Sequence, residues 1–136
     1  MISEIHFKTF NPNPYTPKGK KHIFGDCVIR AICAATGKDW YEVFDLLTEK
    51  GRKTGDFGNS RLVYHLVLEE LGFLASAQKR EKGKKALTVK DFCENNQKGI
   101  YILRLAGHLT CVKDGICYDT WYLQKKSIYK IYKYNG

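Results

Sequence analysis

The 136-residue sequence predicts an α+β protein, with helices first and an antiparallel β-sheet after them. Three observations carry that expectation. Between Asp26 and Leu71, apolar residues recur at helical spacing between capping residues and glycines. After Gly99 the pattern turns to short runs rich in β-branched and aromatic residues. Between two of those runs stands Asp114-Gly115, a dipeptide suited to a two-residue hairpin loop.

The elements follow in order. Residues 1–24 contain "NPNPYTP" and read as an extended, irregular arm. Asp26 is placed to cap a helix from about Cys27 to Thr36, with Gly37 as its stop. Asp39 and Glu42 form a D-x-x-E start for a second helix. Trp40, Val43, Phe44 and Leu47 supply its apolar stripe, and Gly51 is expected to end it. "RKTGDFGN" reads as a loop. Asn59 or Ser60 then caps a third helix to about Leu71, with Val63, Leu66, Val67 and Leu71 inward and Gly72 closing it. The charged segment 75–86 reads as a loop, and Thr88 starts the short helix "TVKDFCEN". "IYILRLA", "HLTCVKD", "ICYDTW" and "SIYKIYKY" form an antiparallel meander. No internal repeat is present, and a length of 136 suits a single domain, 1–136, with one core.

Composition narrows the class. A hydrophobic content of 43%, with 13% aromatic residues, is that of a folded chain. No apolar run approaches the ~20 residues of a membrane helix. The opening "MISEIHFKTFNPNP" lacks the apolar core of a signal peptide, so a cytoplasmic location is expected. Five cysteines without a CxxC pair favour reduced thiols over a disulfide framework or a zinc ribbon. No cofactor or metal is expected. The net charge of +9 comes from basic runs at 17–22, 79–85 and 124–134, a surface that attracts polyanions. No phosphate loop or nucleic-acid motif accompanies it.

The hairpin makes a geometric statement about chemistry. If Asp114-Gly115 form the loop, Lys113 pairs with Ile116, Thr110 lies opposite Asp119, and His108 lies opposite Trp121. His108, Thr110, Val112, Cys117, Asp119 and Trp121 then share one face. His108 and Asp119 become diagonal neighbours, with Trp121 placed to shield them from water. Cys27, opening the first helix, sits where the positive end of the helix stabilises a thiolate. An imidazole stabilises it further, and a carboxylate orients that imidazole. A cysteine beside an apolar helix is most often packing; here a His–Asp pair, placed by an independent argument, stands ready to serve it.

"GDCVIRAICAATG" (25–37) and "GHLTCVKDGICYDTW" (107–121) carry a resemblance. The order of a cysteine opening a helix, a histidine entering a strand and an acid on the next strand resembles the papain-like cysteine peptidases. The compact bacteriocin-processing forms are nearest in size. The two segments are also similar to small proteins of phages and gut bacteria that share a GDC-V-x-RA start and an H-L-x-x-V-x-x-G-x-x-x-D-T finish. The resemblance implies a papain-like fold, with the nucleophile helix packed on the sheet, and a thiol hydrolase acting on a peptide or amide. Cys27 is then the nucleophile, His108 the general base and acid, and Asp119 the orienting acid. Deamidation or acyl transfer uses the same machinery. The family's usual glutamine, about six residues before the cysteine, is replaced here by Lys21, so another oxyanion donor is needed; Asn11, Asn13 and His22 are the candidates.

The remaining cysteines read as structural. Cys33 falls in the first helix, Cys93 ends a short one, and Cys111 and Cys117 lie on opposite faces of the hairpin and should not bridge. A zinc site from Cys27, Cys117, His108 and Asp119 is disfavoured, because no two of them have ligand spacing. The alternative to an enzyme is a non-catalytic basic binding module on the same fold, a phage-borne inhibitor of a host protein or a nucleic-acid binder. A privileged thiol at Cys27 separates the two.

Overall fold

The computed structural model describes residues 6–15, 25–77, 83 and 85–136. The elements run β1 (Phe7–Thr9), α1 (Cys27–Thr36), α2 (Trp40–Thr54), α3 (Arg61–Glu70), β2 (Phe73–Ala77), α4 (Val89–Asn95), β3 (Ile100–Leu105), β4 (His108–Lys113), β5 (Ile116–Asp119) and β6 (Lys130–Tyr134). His22 and the basic run 17–22 lie outside the described residues, as does most of 79–85.

Local capping chemistry sets most helix starts. Asp39 accepts from Glu42 N at 2.8 Å, and Ser60 from Val63 N at 3.3 Å. Thr88 and Asp91 exchange a reciprocal capping box at the start of α4. α1 ends on Gly37 in the left-handed region, as expected. α2 does not end at Gly51. It runs on to Thr54 and closes on Gly55, whose φ is +77°. Gly51 serves a different need: a Cβ there would lie 2.4 Å from Asp56 O. It is a glycine of close approach, not a stop signal. Arg52, Lys53 and Thr54 are therefore helical, which shortens the expected loop from its front.

The strands form one six-stranded sheet in the order β1-β5-β4-β3-β6-β2. The meander from β3 through β5 is antiparallel, and β6 returns antiparallel to the other side of β3. The expected four-strand meander is corrected in one respect, since β6 lies beside β3 and not β5, and two further strands join the sheet. Phe7–Thr9 leaves the arm to pair parallel with β5, Thr9 opposite Asp119. Phe73–Ala77 is an edge strand on β6, so the segment expected as a loop from residue 75 begins as sheet. Both strands are short and give little period-2 signal; their partners lie more than 50 residues away, which local pattern does not encode.

The sheet carries a core on each face. One, with α1, α2 and α3, holds Ile32, Val43, Val63, Leu68, Ile102, Leu109, Cys111 and Tyr132. The other, with α4 and the segment after β5, holds Val89, Phe92, Leu103, Val112, Cys117 and Leu123. Of the residues expected inward on α3, Val63 and Val67 are buried, joined by Tyr64 and Leu68, while Leu66 and Leu71 are only half-buried. Seven of the ten α1 residues are buried, and the helix lies mainly against β4. That docking brings the first residue of α1 to the start of β4. Among the described residues, no helix is long and apolar enough to cross a membrane.

Candidate active site

The β4–β5 hairpin has the register read from the sequence. Lys113 pairs with Ile116, Val112 with Cys117 and Cys111 with Tyr118. Asp114 and Gly115 both take positive φ, +51° and +78°, as a type I′ turn requires. At the open end of the hairpin, His108 Nε2 lies 2.7 Å from Asp119 Oδ2. An ionised carboxylate only accepts, so Nε2 donates and Nδ1 is left for another partner. The Cys27 thiol lines the same cleft as His108, and the imidazole and the Leu109 main chain both favour its ionised form. The three side chains come from the start of α1, the start of β4 and the end of β5.

Their electrostatics are mutually supporting. Burial pushes the Cys27 thiol up, but the hydrogen bonds from His108 and Leu109 and the charges of His108 and Arg30 outweigh it, holding the thiol below its ordinary value. Burial works against the His108 imidazolium, yet hydrogen bonds to Asp119 and Cys27, and their charges, raise it to about 9. Burial also opposes ionisation of Asp119, but the His108 hydrogen bond and charge, with Thr110 and the Thr120 N–H, hold it low. At neutral pH the imidazole keeps its proton, and the thiol beside it is biased towards thiolate. The other four cysteines behave oppositely. Burial pushes Cys33, Cys93 and Cys111 up to about 12 and Cys117 higher still. All five are free, and Cys111 and Cys117 belong to the two different cores.

Sequence reasoning missed the residue that ties the site to its helix. Arg30, 7% exposed, forms a buried ion pair with Asp26 and reaches Asp119 Oδ1 at 3.6 Å through Nη2. Asp26 stands at the cap position of α1 but makes no side-chain capping bond. Arg30, Asn13 Nδ2 at 2.9 Å and Trp40 Nε1 at 3.0 Å take its carboxylate instead. The consequence is chemical. A carboxylate capping the first N–H groups would compete with a thiolate or an oxyanion for them. Asp26 is held aside, with a guanidinium against it. The available signal was that Arg30 is the sole charge in α1, one turn beyond Asp26.

A cleft of about 680 Å³ opens beside the thiol, with Cys27, His108, Asn59, Arg61, Tyr64 and Arg104 among its walls. Asn59, Arg61 and Arg104 also escaped the sequence reading, because nothing in linear order relates them to Cys27. Of the expected oxyanion donors, His22 lies outside the described residues, and Asn11 and Asn13 are engaged elsewhere. Asn13 spends an amide hydrogen on Asp26, and its Oδ1 accepts from Tyr15 N at 2.8 Å. Asn11 Oδ1 accepts from Asn13 N at 3.1 Å. Neither residue lines the cleft. Trp121 lies past the end of β5, beyond the ladder, and is exposed; its ring is tilted towards His108 with centroids 5.7 Å apart, so it neighbours the imidazole without closing it off from water. Among the described residues, no group of three or more Cys, His, Asp or Glu is gathered as a metal ion would need.

Comparisons with family models, with curated proteins and with solved structures return no match for this chain.

Proposed function

We propose that this protein is a papain-like thiol hydrolase acting on an amide or peptide bond, with Cys27 as nucleophile, His108 as acid and base, and Asp119 as the group that orients His108. The observation that carries the reading is the His108–Asp119 pair, 2.7 Å apart, sharing one cleft with the Cys27 thiol at the N-terminus of a buried helix.

In this mechanism the Cys27 sulfur attacks the carbonyl carbon and the carbonyl oxygen takes the negative charge. The Cys27 main-chain N–H, at the positive end of α1, donates to that oxygen; Asn59 is the side-chain amide lining the same cleft. The tetrahedral species collapses, the C–N bond breaks, and His108 gives its proton to the departing amine. His108 then takes a proton from water, the resulting hydroxide attacks the thioester, and the carboxylic acid leaves as the sulfur is released. Replacing water by an amine in the last step gives acyl transfer.

Alkylation tests the reading directly. Iodoacetamide at pH 6, followed by peptide mapping, is expected to modify Cys27 far ahead of Cys33, Cys93, Cys111 and Cys117. Cys27→Ala should remove the fast phase with little change in melting temperature, since this side chain is only half-buried. A Cys27 no more reactive than a free thiol overturns the reading and leaves a binding module.

A further inference from the structure

We infer that the cleft beside Cys27 takes an acyl substrate bearing a carboxylate, which Arg61 and Arg104 hold. The inference rests on the thiol-hydrolase reading and adds the substrate class to it.

Two arginines enter this cleft from unrelated elements. Arg61 is the first residue of α3, and Arg104 stands one residue from the end of β3, with Leu109 and Lys130 as its strand partners. Among the described residues, no Asp or Glu lines the cleft. Among the described residues, neither arginine has a carboxylate partner, although six basic side chains elsewhere do. Arg104 Nε is buried and has no hydrogen-bond partner, which leaves a directed donor unmet. The charges of both arginines reach Tyr64, whose side chain lines the same wall.

The basic surface of the chain does not account for this arrangement. Lysines dominate the charge runs, whereas the cleft holds two guanidiniums, whose planar forks match carboxylate geometry. A second groove, which shares Gly25, is lined by Phe44 and Phe57 with Arg52, Asp26 and Asp56. Between these two grooves, the excess of positive charge belongs to the cleft that holds the thiol. An amide substrate offers a carboxylate in two ways, as an acidic side chain or as a free chain end, and the same two forks bind either.

Iodoacetate and iodoacetamide test the inference with one chemistry. In both, the thiolate displaces iodide from a methylene carbon; only the first carries a carboxylate. A small free thiolate repels iodoacetate. Cys27 is expected to favour it, relative to glutathione, by about tenfold at low ionic strength, and 0.5 M salt should erase most of that preference. Arg61→Gln and Arg104→Gln should each lower the iodoacetate rate several-fold and leave the iodoacetamide rate within about twofold. Arg61 is exposed, so its variant carries the test even if Arg104→Gln folds poorly. Protection from iodoacetamide by a blocked glutamyl peptide amide places the carboxylate on a side chain. Protection by a neutral peptide with a free C-terminus places it at a chain end. Fast iodoacetamide labelling with an iodoacetate preference that neither arginine variant changes overturns this inference alone. Slow labelling of Cys27 by both reagents overturns the hydrolase reading beneath it.

Discussion

The two ends of α1 each carry a cysteine, and the two thiols are opposites. Cys33, six residues on and 2% exposed, sits in the core; burial pushes its thiol up to about 12, and the charges of Asp39, Asp26 and Glu42 push the same way. Cys27 is half-buried, and His108, Leu109 and Arg30 reverse the effect of that burial. About 9 Å of helix separates the two positions. Burial alone therefore does not decide a thiol's acidity. An enclosed thiol becomes reactive when donors and positive charge outweigh the loss of water, and the positive end of the helix is where that is easiest.

The comparison can be broken at several points. Cys27→Ala should abolish fast alkylation and any amide hydrolysis, whereas Cys33→Ala should keep both within about twofold and instead lose about 1 kcal/mol of stability as a small core truncation. Activity assays with urea titrations separate the two effects; a Cys33 variant that loses activity as fully as Cys27→Ala would erase the distinction. Next in size is Arg30→Met. It leaves Asp26 buried beside an apolar chain and takes the second anchor from Asp119, so a stability loss of about 3–5 kcal/mol is expected by urea denaturation. A loss below about 1 kcal/mol would show that Arg30 does not tie α1 to the site.

Smaller effects sharpen the picture. His108→Ala should lower the alkylation rate at pH 6 by about 100-fold, as the profile moves to that of a free thiol near 8.5. Asp119→Asn should give an intermediate profile, about tenfold down, since the helix terminus and the imidazole still act on Cys27. Three superimposable profiles would show that Cys27 is uncoupled from both residues. Stability should also follow pH with a definite sign. The folded His108 titrates near 9, above its unfolded value of about 6.5, so its charge contributes fully below about pH 6.5 and the contribution fades as pH rises through 9. Asp119 is shifted down, so its contribution is present above about pH 4 and is lost as the acid protonates at lower pH. The stability difference between wild type and His108→Ala, followed from pH 5 to 10, should shrink across the upper half of that range.

What could be read in the chain was local. The α1 boundaries follow from Cys27 to Gly37 alone, and the His108–Asp119 contact follows from a two-residue turn and the alternation of a strand. What escaped was the choice of distant partners. Nothing in "FKT" states that it will lie parallel to β5, and nothing in Arg61 or Arg104 points to Cys27. Two residues misled because their type has more than one use. Gly51 looks like a helix stop but makes room for Asp56, and Asp26 looks like a cap but turns to Arg30, Trp40 and Asn13. A glycine or an aspartate declares a capability; only the tertiary neighbours decide which use is taken.

Asp119 belongs to both ends of the chain: its side chain holds His108, and its carbonyl accepts from Phe10 N at 2.8 Å, just past β1. This connectivity sets a clock during synthesis. Between Cys27 and His108 the ribosome adds 108 − 27 = 81 residues, which at typical elongation rates occupies roughly 4–16 s. Through that interval the nascent chain displays a thiol with no imidazole to ionise it and an N-terminal segment with no β5 to pair with. Once the β4–β5 hairpin emerges and docks, β1 gains its partner strand and Cys27 gains the imidazole beside it in the same event. On the proposed reading, a translating polysome therefore carries many copies of Cys27 but only ordinary cysteine chemistry until His108 and Asp119 have emerged.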